Sequence, residues 1–385
     1  MAITPDPPAT VFLNPLFGLL PALDLGDTAE VLDFHKRLPG YRPTPLVAAH
    51  DLAGQLGISE LWVKDESERL GLPAFKMLGA SWAAYHALRS RLGGKIRPWR
   101  EIAELRAQVS QLGPLTLATA TDGNHGRAVA RMASMLGLGA RIYVPRSVGR
   151  DRIEAIGQEG AEVIVLEGSY DDALARCTAG LKAGDILASD TVHDGHEGFA
   201  KSVLVGYGTL IHETREQFSL LGGRPPDAVF VQMGVGSFAA SVIGHLDALS
   251  AGASVIGVEP VDAACVMASL RADREVLVAG PHRSAMVGLN CGRPSAVAWP
   301  ILRAGLTATV AIEDSWADRA IEKLASVGIQ SGPSGAAGLA GLMFLQGSGR
   351  NVSDLVGRPI QSVLVINTEG STQLPDVGGS SARNL

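Results

Sequence analysis

The chain has 385 residues, of which 46% are hydrophobic and 19% charged, and its net charge is −6. This composition indicates a folded protein of two or three domains, and its mild acidity argues against nucleic acid as a partner, because phosphate binding requires a basic surface. No apolar run reaches the roughly 20 residues that cross a bilayer, and the N-terminus lacks a signal-peptide pattern, so we expect a cytoplasmic protein.

Short apolar runs alternate with helical patterns along the chain. Residues 61–63 read as a strand, and residues 76–92 read as a helix because alanines and a leucine recur there at helical spacing. Six further strands are predicted at 115–119, 141–144, 162–166, 228–231, 254–258 and 362–366. Short apolar strands between helices are typical of a mainly parallel sheet covered on both faces, so the sequence predicts an α/β fold.

Lys76 stands at the start of the predicted helix, among the apolar residues Phe75, Met77 and Leu78. A helix N-terminus disfavours a cation, and burial there would lower the pKa of the amine. A lysine with a lowered pKa is suited to forming a Schiff base. The alternative is an ordinary surface lysine whose apolar stem lies along the helix.

A polar cluster follows the strand predicted at 115–119. It places Asp122, Asn124 and His125 within residues 121–126. In open α/β sheets ligands bind where strands end and helices begin, so this cluster is a candidate binding site. A single such residue is enough to cap the next helix, and capping is therefore the alternative.

A glycine-rich loop joins the strand predicted at 228–231 to a helix. Its residues are Gly234, Val235, Gly236 and Ser237. Glycines let the backbone approach a phosphate group, and a helix N-terminus offers free N–H groups. The loop also fits the dinucleotide pattern, with Glu259 at the end of the next strand, so a nicotinamide cofactor is one alternative. A tight turn without a ligand is another.

Seven segments together resemble the fold-type II pyridoxal-phosphate enzymes, the tryptophan synthase β-like family, and within it the diaminopropionate ammonia-lyases. They occur in the family's order and span nearly the whole chain. The segments are 38–46, 63–67, 71–79, 121–127, 234–236, 258–260 and 288–292. The most specific of them read KDES, GLPAFKMLG and TDGNHGR.

The resemblance implies how pyridoxal 5′-phosphate would be bound. Lys76 carries the cofactor as a Schiff base, and Asn124 hydrogen-bonds its 3-oxygen. Residues 234–237 bind the phosphate through backbone N–H groups. Thr368, in the turn after the last predicted strand, faces the pyridine nitrogen. A hydroxyl does not protonate the ring as a carboxylate would, and the family associates this with elimination rather than transamination.

The resemblance also implies that Asp122 and Asp190 act as bases for opposite Cα stereoisomers. The family's serine and threonine dehydratases usually carry a small hydroxyl residue in place of Asp122. A carboxylate there would repel the substrate's own carboxylate unless a cation lies nearby, and the β-ammonium of 2,3-diaminopropionate is such a cation. We therefore expect an ammonia-lyase that converts 2,3-diaminopropionate into pyruvate and two molecules of ammonia.

The fold that the resemblance implies is α/β, with two interwoven three-layer domains and mainly parallel sheets. We expect a large cofactor-binding domain formed by residues 1–78 plus 192–385 and a small domain formed by residues 79–191. The expected substrate is a small amino acid, and the expected partner is a second copy of the chain in a homodimer. Neither nucleic acid nor a membrane is expected as a partner.

Four residues depart from or extend the family pattern. His193 and His196 stand where aromatic residues are typical. Their spacing suggests a metal site, but a third well-spaced ligand is not evident, so a solvated loop is preferred and no metal is expected.

Cys265 and Cys291 match positions at which the resembling enzymes carry cysteines that can pair, although disulfides are uncommon in the cytosol.

Three alternative functions stay open. A threonine or serine dehydratase, or a lyase for another β-substituted amino acid, would use the same cofactor. An NAD-dependent dehydrogenase would use the loop at 234–239 with Glu259 but leaves Lys76 and Asn124 unexplained. A non-catalytic amino-acid sensor on the same fold is the third, and the intact Lys76 with its two aspartates speaks against it.

Overall fold

The computed structural model describes residues 2–3, 10–18, 25, 29–121, 123–191, 197–250 and 252–371. The strands are β1 (Ala2–Ile3), β2 (Thr10–Leu13), β3 (Leu46–Ala48), β4 (Glu60–Asp65), β5 (Thr116–Ala120), β6 (Gly139–Pro145), β7 (Glu162–Leu166), β8 (Asp185–Leu187), β9 (Ala228–Gln232), β10 (Ser254–Pro260), β11 (Leu277–Val278), β12 (Leu306–Ile312) and β13 (Ser362–Asn367).

The helices follow in the same chain order. They are α1 (Ala29–Lys36), α2 (His50–Gln55), α3 (Lys76–Arg91), α4 (Ile102–Val109), α5 (Asn124–Leu136), α6 (Arg150–Gln158), α7 (Tyr170–Ala179), α8 (Glu197–Gly206), α9 (Gly208–Leu221), α10 (Ser237–Gly244), α11 (Leu246–Leu249), α12 (Cys265–Ala272), α13 (Trp299–Gly305), α14 (Asp314–Ser326), α15 (Pro333–Gly347) and α16 (Val352–Val356). None of these helices has both the length and the apolar character needed to cross a membrane.

Two sheets account for most of the strands in the described part of the chain. The larger has the order β2-β12-β10-β9-β13-β4-β3, with parallel pairing among its five inner strands and antiparallel pairing of β2 and β3 at the edges. The smaller has the order β7-β6-β5-β8 and is parallel throughout. The prediction of an α/β fold with mainly parallel sheets is confirmed.

Both faces of the larger sheet are buried, which explains its continuous apolar strands. In β4, Leu61 and Val63 pack into one core with α14 and α15, whereas Trp62 points to the opposite core with α3, α8 and α9. This alternation is the ordinary period of two along a strand. The larger sheet is therefore the middle layer between two layers of helices.

The smaller sheet is also covered on both faces. Leu117 and Ile142 pack with α3 and α5 in the core that they share with the larger sheet, and Ala118 and Tyr143 pack against α7 on the opposite face. Helix α3 thus contributes to the core between the two sheets. The division of the chain into domains at residues 78/79 and 191/192 stays a prediction.

A buried ionic cluster holds the segment between β4 and α3. It consists of Lys64, Glu66, Arg69 and Glu213, whose side chains are at most 1% exposed. The Arg69 guanidinium donates to both Glu66 and Glu213 at 2.5–2.8 Å, and Lys64 Nζ lies 2.9 Å from Glu213 Oε2. Two cations balance two carboxylates, so the cluster is neutral. Part of the KDES motif is therefore structural.

Gly79 lets α3 approach Tyr207 closely. A Cβ at Gly79 would lie 2.6 Å from Tyr207 Cε1 and 2.8 Å from Val203 Cγ1. We expect Gly79→Ala to lower the free energy of unfolding by about 1–3 kcal/mol, as overpacking usually does. Because α3 begins at Lys76, the variant should also disturb the pocket described below. Chemical unfolding monitored by circular dichroism measures the loss.

The matched control is Gly54→Ala in α2. A Cβ there meets no atom within 4 Å, so the helix propensity of alanine should stabilise the protein by up to about 1 kcal/mol. Equal changes in the free energy of unfolding for Gly79→Ala and Gly54→Ala would contradict the close approach of α3 to Tyr207.

Candidate active site

A pocket with about 880 Å³ of empty space lies where strand ends of the two sheets meet. This is the usual place for a ligand in an open α/β fold. The structure gathers there every predicted site residue that it describes: Lys76, Asn124, Asp190, Gly234, Val235, Gly236, Ser237 and Thr368. Asp122, His193 and His196 lie outside the described residues.

Lys76 and Asp190 form an ion pair in this pocket. Lys76 Nζ donates to Asp190 Oδ2 at 3.1 Å, and the two side chains are 23% and 11% exposed. Burial raises the pKa of Asp190, but His125 and Lys76 outweigh it and bring that pKa down to about 2. The carboxylate is therefore ionised at neutral pH.

The predicted lowering of the Lys76 pKa is wrong for this arrangement. Burial does lower the pKa of the amine, but the nearby Tyr207 and Asp190 raise it by more than burial lowers it. The pKa of Lys76 therefore lies above its usual value. The helix start and the apolar neighbours of Lys76 are visible in the sequence, whereas the position of Asp190 beside the amine, 114 residues away in the chain, is not. Lys76 is therefore a protonated ammonium when no other group is bound to it.

His125 lies beside the same aspartate. Its Nε2 is 2.7 Å from the Ala188 carbonyl oxygen, which can only accept, so Nε2 carries a proton. Its Nδ1 lies 3.8 Å from Asp190 Oδ2. Burial lowers the pKa of the imidazole against the opposing effect of Asp190.

The glycine loop fits a phosphate group. Gly236 adopts the left-handed conformation with φ at 88°, immediately before α10 begins at Ser237. Among the hydrogen bonds of the described residues, the backbone N–H groups of Gly234, Val235 and Gly236 donate none. Unused N–H groups at a helix N-terminus that face a pocket form a suitable site for an anion.

Ser237 ties this loop to the Lys76–Asp190 ion pair. Its hydroxyl donates to the backbone oxygen of Asp190 at 3.2 Å. The residue that begins α10, which follows β9 of the larger sheet, is thereby joined to the segment that follows β8 of the smaller sheet. The anion site and the aspartate are therefore fixed relative to one another.

Two polar residues of the pocket, Glu369 and Gln232, were missed by the sequence reasoning. The Asn124 side-chain amide donates to Glu369 Oε2 at 2.7 Å, and the Gln232 amide donates to Thr368 Oγ1 at 2.7 Å. Both lie close to predicted residues in the chain, since Glu369 follows Thr368 and Gln232 ends β9 two residues before Gly234. The sequence signal that could have identified them is a polar residue at or just after the buried end of an apolar strand.

Glu259 removes the basis of the dinucleotide alternative. Its side chain is fully buried in β10, and its carboxyl oxygens accept hydrogen bonds from the backbone N–H groups of Val266 and Met267 at 2.8 and 2.9 Å. Burial raises its pKa to about 8. A carboxyl group that caps α12 in this way is not available to a ribose hydroxyl.

The described residues contain no group of three or more histidine, cysteine, aspartate or glutamate side chains that could hold a metal ion. Cys265 Sγ lies 3.6 Å from the Gly234 carbonyl oxygen, and a Cβ at Gly234 would lie 3.0 Å from Cys291 Sγ. Both thiols therefore adjoin the glycine loop. No disulfide joins these two described residues in the structure.

Comparisons with known proteins agree with this site. A family model described as pyridoxal-phosphate dependent enzyme matches residues 37–357. The chain is 36% identical over 365 residues to diaminopropionate ammonia-lyase of Salmonella typhimurium, covering 90% of each chain. Its structure is similar to that of the holo diaminopropionate ammonia-lyase from Escherichia coli, with a TM-score of 0.86, 33% identity, and 97% and 96% of the two chains covered. The same enzyme with an aminoacrylate–pyridoxal-phosphate azomethine intermediate gives a TM-score of 0.83 over 96% of each chain, at 33% identity.

The low pKa of Asp190 predicts an acid-dependent stability of the cofactor-free protein. The carboxyl pKa falls from 3.8 to about 2 on folding, so the ionised form stabilises the fold above pH 3.8, and this contribution is lost as the pH falls toward 2. We expect the difference in unfolding free energy between wild type and Asp190→Asn to be constant at higher pH and to shrink over that acidic range. Urea titrations at a series of pH values measure it, and a difference that does not vary with pH contradicts the ion pair.

Proposed function

Because the chain belongs to the pyridoxal-phosphate-dependent enzyme family, we propose that it catalyses the α,β-elimination of 2,3-diaminopropionate to pyruvate and two molecules of ammonia. The observation that carries the proposal is the Lys76–Asp190 ion pair beside the glycine loop. The similarity to curated diaminopropionate ammonia-lyases over 90% of both chains supports the choice of substrate. The bound cofactor supplies an electron sink for negative charge at the substrate Cα.

Four parts of the pocket are suited to holding pyridoxal 5′-phosphate. Lys76 would carry it covalently through Nζ, and the N–H groups of residues 234–237 would bind its phosphate. Asn124 would hydrogen-bond the 3-oxygen with an amide that Glu369 already orients. Thr368 would lie opposite the ring nitrogen, fixed there by Gln232. These roles come from the resemblance, and the clustering of the side chains around one pocket supports them.

Asp190 would remove the Cα proton from one substrate stereoisomer. Its ionisation at neutral pH and its position beside Lys76 support this role. Asp122 would serve the opposite stereoisomer. Lys76, once released from the cofactor by the substrate amine, would hold a proton at Nζ because its pKa is raised. It could then protonate the leaving β-amine.

A panel of amino acids tests the substrate. We expect the purified protein, reconstituted with pyridoxal 5′-phosphate, to release pyruvate from 2,3-diaminopropionate faster than from serine, and to release little 2-oxobutyrate from threonine. Faster turnover of serine or threonine would indicate a dehydratase instead. Binding without turnover of any amino acid would indicate a sensor. Failure to bind the cofactor would remove the whole proposal.

We also propose that the enzyme is a cytoplasmic homodimer. Leu13 of the edge strand β2 and the nearby Phe17 are 56% and 46% exposed, and large apolar side chains at a sheet edge favour contact with a second chain. Light scattering coupled to size-exclusion chromatography gives the number of subunits. Fractionation of the source cells gives the compartment.

A further inference from the structure

The side chain of Gln232 is held in one orientation beside the pocket. Its Nε2 lies 2.7 Å from Thr368 Oγ1, 3.0 Å from the backbone oxygens of Gly335 and Ile366, and 3.1 Å from that of Ser334. The residue is only 4% exposed. Three of these four neighbours are carbonyl oxygens, which can only accept hydrogen bonds. The atom that faces them is therefore the NH₂ group and not the amide oxygen.

This orientation determines how the Thr368 hydroxyl is used. An amide nitrogen donates and does not accept, so Thr368 Oγ1 is the acceptor in its contact with Gln232. If the hydroxyl hydrogen pointed toward Gln232, the hydroxyl and the amide NH₂ would be two hydrogen-bond donors facing each other. Among the hydrogen bonds of the described residues, Thr368 Oγ1 donates none to the protein, and the residue lines the pocket. Its hydrogen is available to a ligand there.

We infer that Gln232 is a positioning residue that fixes the Thr368 hydroxyl as a hydrogen-bond donor and so keeps the cofactor's pyridine nitrogen unprotonated. The inference rests on the proposed function, which places Thr368 opposite that nitrogen. An unprotonated ring nitrogen accepts the hydroxyl hydrogen, whereas a protonated one would present its own N–H to a donor. Gln232 would thus act on the charge of the ring through the Thr368 hydroxyl.

Pyridoxal 5′-phosphate labelled with ¹⁵N in the ring tests this without relying on catalysis. The wild-type protein is loaded with the labelled cofactor, and its NMR signal is compared with those of the free cofactor above and below the titration of the ring nitrogen. We expect the signal of the unprotonated form throughout the neutral pH range. A signal at the protonated position in the wild type overturns the inference, and this result requires no variant to fold.

Substitutions then separate the role of Gln232 from simple packing. Gln232→Met keeps the length of the side chain but removes its donor, and we expect the signal to move toward the protonated position. Gln108→Met is the matched control, because Gln108 is also buried and bonded to backbone, through Arg97, away from the pocket. The ¹⁵N signal of the cofactor bound to Gln108→Met should stay at the wild-type position.

A double substitution shows whether the effect passes through the hydroxyl. In a Thr368→Val background, Gln232→Met should cause no further movement of the signal, because no hydroxyl remains to be oriented. An equal movement in both backgrounds would contradict the inference. A protonated ring with diaminopropionate turnover intact would refute this inference alone, and an unprotonated ring without that turnover would refute the proposed substrate alone.

Discussion

Lys76→Ala should lose the absorbance band near the visible edge that marks a cofactor bound through lysine, and the rate of pyruvate release should fall by at least about 10³-fold. The magnitude follows from the two tasks proposed for the residue, since covalent attachment and proton transfer are both removed, and a positioned acid or base alone contributes about 10²–10⁴-fold. The absorbance of gel-filtered, cofactor-reconstituted protein and a coupled pyruvate assay measure the two effects.

The control for Lys76 is Lys182→Ala. Lys182 is exposed and does not line the pocket, so its replacement should leave both the band and the rate unchanged. A band of wild-type intensity in Lys76→Ala would show that the cofactor is attached elsewhere. Retained absorbance with lost activity would confine Lys76 to proton transfer.

Arg69→Met should destabilise the fold by about 3–5 kcal/mol, the usual cost of removing one partner from a buried ion pair. Arg69 is 1% exposed, and its removal leaves the Glu66 carboxylate without its cation and Glu213 with only Lys64. The cluster also holds the segment that leads into Lys76, so cofactor affinity should fall with stability. Thermal unfolding with and without pyridoxal 5′-phosphate measures both.

Arg150→Met is the comparison for Arg69. Arg150 makes a 2.6 Å ion pair with Glu154 on the surface of α6, where its side chain is 89% exposed. Exposed pairs contribute little, so the melting temperature should barely change. If Arg69→Met also left the melting temperature unchanged, the buried ionic cluster would have no part in stabilising the fold.

Seven of the strands and the pocket were predictable from sequence because their signals are local. Each predicted strand ends at a polar or glycine-rich turn, and parallel strand ends meet at one edge of a sheet. Strand β12 was missed because threonines at 307 and 309 interrupt its apolar run, although both are buried next to β10 and β2. The neighbours that bury them are distant in the chain.

The electrostatics of the site were less predictable for the same reason. The Lys76 pKa depends on Asp190, and the orientation of Thr368 depends on Gln232, 136 residues away. Local patterns report which residue types stand near a strand end. They do not report which charge or donor the fold brings against them.

The distribution of the pocket residues between the two sheets bears on how the substrate preference of such an enzyme changes in evolution. Lys76, the glycine loop and Thr368 stand at strand ends or helix starts next to the larger sheet, whereas Asp190 follows β8 of the smaller one. Mutation in the segment after β8 can therefore change the surroundings of Asp190 while Lys76, the glycine loop and Thr368 are inherited unchanged.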